Sequence, residues 1–145
     1  MAVRKASATW SDGGLKEGKG HIELGSGAYE GQYNFSSRFE EGTGTNPEEL
    51  LGAAHAGCYA MALSAGLERA GYTPEKVATD AKVHLTPKDG GGFEISKIEL
   101  MVDANVPGIE EDKFMEMVES TKETCIVSVA LGGVPNMEVS ATLNQ

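Results

Sequence analysis

Residues 46–71 read NPEELLGAAHAGCYAMALSAGLERAG, and the fold turns on them. Asn46 is a good N-cap, and Pro47 suits the first helical turn because its missing N–H had no intrahelical partner to lose. Glu48 and Glu49 favour the positive end of the helix dipole. About twenty nearly uncharged residues follow, ending in Glu68 and Arg69, with Gly71 placed to stop the helix. At 1.5 Å per residue the helix is a rod of about 35 Å. Small and apolar residues lie on every side of it, so burial nearly all round is expected. Cys58 sits at its middle. A thiol in that position is either packing, as a small hydrophobe, or a nucleophile.

At 145 residues the chain reads as one domain over 1–145, large enough to bury roughly 70% of its unfolded surface. Twelve basic against 22 acidic residues argue against nucleic acid or an anionic membrane as partner. No apolar run reaches the roughly 20 residues of a membrane span, because His55 and the glycines interrupt the central helix. Met1-Ala2-Val3-Arg4-Lys5 is not followed by the apolar core of a signal peptide, so a cytoplasmic location is expected. In that reducing compartment a pair of cysteines is more often catalytic or redox-sensing than a standing disulfide.

Outward from the helix, Ala2–Trp10 and Lys19–Leu24 read as a hairpin around the turn Ser11-Asp12-Gly13-Gly14. Gln32–Phe39 reads as a short strand carrying Arg38 near its end. After Gly71, Val77–Leu85 alternates cleanly as a half-buried strand. A turn at Lys88–Gly92 leads to a strand from Phe93 to Ala104. Its apolar positions are odd at Phe93 and Ile95 but even from Ile98 onward, which predicts a bulge near Ser96-Lys97. Ile109–Thr124 reads as a second helix, Ile126–Leu131 as a short one, and Met137, Val139, Ala141 and Leu143 as a last strand. Local hairpins predict an antiparallel sheet and an α+β fold, with that sheet packed around the long central helix and the second helix. One sheet and one other helix cannot cover the central helix on all sides. A second copy is therefore expected to complete its burial, as an obligate homodimer.

The two cysteines, Cys58 and Cys125, both lie on or beside helices, and no CxxC occurs. Three histidines and two cysteines offer no metal-ligand spacing beyond His55 and Cys58, so no metal is expected. Those two are one helical turn apart, which leaves His55 either a base for Cys58 or a satisfied interior histidine.

Arg38-Phe39, then GTGTNPEELLGAAHAGCYAMALS at 42–64, then TCIVSVAL at 124–131, resemble the OsmC/Ohr family of thiol-dependent hydroperoxide reductases, within it the OsmC branch. WSDGGLKEGKG at 10–20 and VPGI at 106–109 extend the resemblance over most of the chain. The resemblance implies an intertwined α+β homodimer with its site at the subunit interface. It implies that Cys58 attacks the peroxide, that Cys125 resolves, and that Arg38 and Glu48 form the polar pair holding thiolate and peroxide. The substrates it implies are organic hydroperoxides and, less efficiently, hydrogen peroxide. The reductant is an external small thiol or a protein-bound dihydrolipoyl group, with no cofactor in the chain itself. A non-catalytic apolar-ligand-binding dimer and a peroxide-responsive redox sensor are the alternatives.

Thiolate formation alone is a weak device for such a reaction. A thiol whose pKa falls to about 6 gains roughly 30-fold in thiolate at pH 7, and its lower nucleophilicity offsets roughly 13-fold of that. The larger effect has to come from a cation and donors aimed at the peroxide oxygens, and Arg38 has the planar fork to grip two of them. If the helix is straight from Asn46, Glu48 is about 15 Å from Cys58 along its axis. Either residues 46–51 bend back as a loop, or the site is shared with the partner chain.

Overall fold

Glycine placement and aromatic packing shape the first fifty residues. The computed structural model describes all of residues 1–145, which form two compact units, Met1–Leu50 and Leu51–Gln145. In the first, β1 (Ala6–Ser11), β2 (Lys19–Leu24) and β3 (Glu30–Tyr33) form an antiparallel sheet in the order β1-β2-β3. β1 starts at Ala6 rather than Ala2 because Ala6 faces Leu24, the last residue of β2. Gly20 lies opposite Tyr33, whose ring occupies the space a Cβ would fill, and this lets Tyr33 reach Trp10 at 5.5 Å between centroids.

The expected strand over Gln32–Phe39 is corrected. Only its beginning belongs to β3, and residues Phe35–Phe39 form a short helix, α1. Asn34 caps it: its side chain accepts from the Ser37 N–H at 2.8 Å, and Ser37 Oγ accepts from the Asn34 N–H at 2.9 Å. With the turn so closed, Phe35 and Phe39 pack with their rings tilted, 5.0 Å between centroids.

The long helix α2 runs from Pro47 to Arg69 as expected. Asn46 caps it by accepting from the Glu49 N–H at 2.8 Å. Its C-terminus closes with Tyr72 N–H on Leu67 O and Gly71 N–H on Glu68 O. That double closure needs Gly71 at φ 92°. Within one chain the burial of α2 is partial. α2 buries one stripe, Gly52, His55, Tyr59, Leu63 and Leu67, at spacings of three and then four, while Ala53, Ala54, Gly57 and Met61 are exposed. At 23 residues it is also long and apolar enough to cross a membrane by length and composition. Tyr59, Leu63 and Leu67 of its buried stripe are fully enclosed in the core of the second unit.

The second unit adds β4 (Lys76–Pro87), β5 (Phe93–Asn105), α3 (Glu111–Thr124), α4 (Ile126–Ala130) and β6 (Asn136–Asn144), with strand order β4-β5-β6. β4 and β5 are antiparallel, and the register slips where His84 faces Lys97 but Leu85 faces Ile95. Ser96 is the extra residue, at the bulge that the parity change predicted. β6 runs parallel to β5, which corrects the all-antiparallel expectation, and there are two three-stranded sheets rather than one. The connection through α3 and α4 is long enough to return the chain to the end of the sheet where β5 began. Ile98, Leu100, Val102 and Ala104 of β5 form one core with Tyr59, Leu63 and Leu67 of α2 and with Phe114 and Val118 of α3.

Truncating this core at Leu63→Ala is expected to lower stability by about 3 kcal/mol in urea unfolding. Tyr59→Phe, which loses a buried donor to Val118 O at 2.7 Å, is expected to lower it by about 1 kcal/mol.

Candidate active site

Helix α2 carries Cys58 at its middle, and the neighbouring Tyr59 fixes its rotation by donating to Val118 O of α3. α3 ends at Thr124. Cys125 then serves both helices: its N–H closes α3 on Thr121 O at 2.8 Å, and its carbonyl accepts from Val129 N of α4 at 2.9 Å. At φ −56° and ψ 128° the backbone bends there and aims the side chain back at α2. The two sulfurs lie 3.2 Å apart, both as free thiols. Cys125 is 1% exposed, whereas Cys58 is only half-buried, so a small solute reaches the pair from the Cys58 side.

The sulfurs titrate as a pair, one losing its proton more readily because the other keeps its own. Burial raises the Cys58 thiol; the Val127 N–H partly offsets this, and Cys125 raises it further. Burial acts on Cys125 in the same direction. There it is outweighed by the Ser128 N–H, the Cys58 thiol, the Ser128 side chain and the Val127 N–H, so Cys125 falls below the ordinary thiol range. Of the two, the inner sulfur is thereby the more acidic in the isolated chain.

His55, fully buried on α2, points its Nε2 at Ser128 Oγ, 2.7 Å away. It therefore serves Ser128 of α4 rather than acting as a base on Cys58. Burial lowers its pKa and keeps it neutral. Its Nδ1 is buried without a partner.

Arg38 and Glu48 meet in the first unit. Arg38 sits on α1 rather than on a strand, and polar bonds set α1 against the start of α2. Ser37 Oγ donates to Thr45 O at 2.8 Å, and Asn46 Nδ2 donates to Ser37 O at 3.0 Å. Across this junction Arg38 grips Glu48 with two nitrogens, Nη2 to Oε1 at 2.7 Å and Nε to Oε1 and Oε2 at 3.2 and 3.3 Å. Glu48 is 7% exposed, while the Arg38 side chain keeps 36% of its surface in solvent beside the Phe39 ring. A guanidinium held this way has its remaining donors free for a ligand oxygen. Trp10, Leu15, Tyr33, Phe35 and Phe39 line a cavity of about 240 Å³ with Arg38. Because α2 is helical from Pro47, residues 46–51 do not bend back as a loop.

The structure thus joins the four sequence-derived residues as two pairs, Cys58 with Cys125 and Arg38 with Glu48. Ser128 escaped the sequence reading; its only signal was its place three residues after Cys125. For a metal, the histidine count found nothing, yet His21, Glu23 and Glu30 bring ligand atoms within 4.8 Å of one another across β2 and β3. All three are exposed, and His21 and Glu30 are already bonded at 3.1 Å.

The OsmC-like protein family model matches residues 40–140. The chain is 46% identical over 129 residues to peroxiredoxin OsmC of Escherichia coli, covering 88% of this chain and 89% of that one. It is 33% identical over 103 residues to an organic hydroperoxide resistance protein of Xanthomonas axonopodis, covering 70% and 68%. The fold superimposes on the crystal structure of an organic hydroperoxide resistance protein from Elizabethkingia anophelis. The TM-score is 0.70 at 26% identity, over 100% of this chain and 97% of that one.

An absorbance titration at 240 nm is expected to show one thiolate of the reduced protein forming below the ordinary thiol range. Cys125→Ser should shift that transition upward, because the remaining Cys58 is raised by burial.

Proposed function

The chain belongs to the OsmC-like family of peroxide-reducing enzymes, and we propose that it reduces organic hydroperoxides, and hydrogen peroxide less efficiently, at the expense of an external thiol or dihydrolipoyl group. The observation that carries this reading is the 3.2 Å approach of two thiols, one half-exposed and one sealed. Cys58 attacks the distal peroxide oxygen: an S–O bond forms, the O–O bond breaks, and the alcohol leaves with a proton. Cys125 then displaces water from the Cys58 sulfenic acid and closes a disulfide. The reductant reopens it. The net reaction is R–OOH + 2 R′–SH → R–OH + H₂O + R′–S–S–R′.

The oxygen leaving in the first step develops negative charge, and a positioned cation lowers that barrier more than thiolate formation does. In this reading Arg38, oriented by Glu48, supplies the cation, and the aromatic cavity beside it takes the organic body of the peroxide. Charge brought next to Cys58 also moves the thiolate from the inner sulfur to the outer one. Ten residues of helical rise, about 15 Å, separate Glu48 from Cys58 along α2, so the reading assigns the site to the interface of two copies of the chain. Exposed apolar residues flank both cysteines in sequence and favour such a dimer: Met61 at 78%, Ile126 at 80% and Val129 at 64%. The reducing cytoplasm suits the reaction, since thiols are replenished there.

One equivalent of cumene hydroperoxide is expected to remove two free thiols and to link the Cys58 and Cys125 peptides in mass spectrometry. A Cys58→Ser protein that still turns over would refute the reading. Arg38→Ala is expected to reduce kcat/KM by roughly 100-fold, the scale for losing one charge-stabilising donor, and a loss under tenfold removes Arg38 from the chemistry. Light scattering is expected to give twice the 15.2 kDa chain mass.

A further inference from the structure

His55 and Ser128 have no part in the chemistry derived so far, yet both are almost sealed, at 0% and 4% exposed. Interior polar groups of this kind need partners, and theirs fix a direction. His55 has one ring nitrogen on Ser128 Oγ and the other, Nδ1, facing nothing. A neutral imidazole carries one N–H and one lone pair, and a buried N–H without an acceptor is the rarer and costlier orphan. The proton therefore belongs on Nε2, which donates to Ser128 Oγ. The serine hydroxyl, already accepting, has its single hydrogen left to give, and Ser128 stands in the first turn of α4, whose N-cap is Cys125. The order runs one way: imidazole N–H to hydroxyl at 2.7 Å, the hydroxyl in the helix turn that Cys125 opens, and Cys58 3.2 Å from the Cys125 sulfur.

We propose that His55 and Ser128 are positioning residues for the second chemical step, holding the Cys125 sulfur as a hydrogen-bonded thiolate aimed at Cys58. This rests on the peroxidase reading above and deepens it. In that step Cys58–SOH + Cys125–SH → Cys58–S–S–Cys125 + H₂O: the S–O bond breaks, the S–S bond forms, and the departing hydroxide takes the proton that Cys125 loses. A donated hydrogen bond favours deprotonated Cys125 once Cys58 has become the sulfenic acid, and it fixes the Cys125 rotamer towards Cys58 beforehand. The peroxide step on Cys58 uses neither residue.

Rapid-mixing experiments separate the steps, with hydroperoxide loss reporting the first and loss of dimedone-trappable Cys58 sulfenic acid the second. In Ser128→Ala the ratio of closure rate to peroxide-consumption rate is expected to fall about tenfold or more, the scale of one hydrogen bond to a charged group. Ser128→Thr, which keeps the hydroxyl, and His55→Gln, which keeps a donor, are expected to restore most of it. Closure in Ser128→Ala within twofold of wild type overturns the proposal. So does an equal fall of both steps, which marks a structural role alone. If Ser128→Ala does not fold, the comparison of His55→Gln with His55→Leu decides in the same way. A wild-type protein that consumes no hydroperoxide defeats the peroxidase reading before any variant is compared. In that event closure driven by diamide, measured in the same variants, still judges the positioning role.

Discussion

The rotation of α2 about its axis is the constraint on which everything else rests. Tyr59, Leu63 and Leu67 are fully buried against β5 and α3, and the Tyr59 hydroxyl ties the helix to the Val118 carbonyl. Cys58 and Tyr59 are about 100° apart on a helix, so fixing one fixes the other. Cys58 thereby lands at the edge of the buried stripe, half in solvent and within reach of the bend at Cys125. A rotation of one residue would bury the thiol or strand it among Ala54, Gly57 and Met61 on the open face.

Charge is arranged by the same economy of local devices. Arg38 and Glu48 are ten residues apart, and a five-residue helix capped by Asn34 turns the chain sharply enough to bring them together. Asn46 does two jobs there, capping α2 and holding the Ser37 carbonyl. Strength of packing is concentrated in the second unit, whose core is aliphatic and aromatic. The junction that presents Arg38 is held mainly by polar bonds, which depend on direction more than on volume.

Much of this was legible in the residues because the signals are local. The Asn46-Pro47 start, the Gly71 stop and the parity change that marks Ser96 each follow from a single stretch of chain. The strand misread over Gln32–Phe39 has a local cause too. Alternation at Tyr33 and Phe35 suggested period two, while the Asn34–Ser37 capping pair, a short-range helix signal, prevailed. What was not legible is non-local. Whether β6 joins β5 parallel or antiparallel depends on where α3 and α4 deliver the chain, which no periodicity encodes. Ser128 looked like an ordinary small residue of a short helix, because its partner His55 is 73 residues away.

The spacing of the two thiols along the chain has a thermodynamic side. They are 67 residues apart in sequence but 3.2 Å apart in space. A covalent link between them would close a loop comprising nearly half the polypeptide and restrict its denatured ensemble. In the chain-entropy picture that restriction is worth about 4 kcal/mol, comparable with much of the net stability of a domain this size. Under the proposed cycle the protein would alternate between a braced oxidised form and an unbraced reduced one, and heat or proteases would threaten it most just after its reductant had acted.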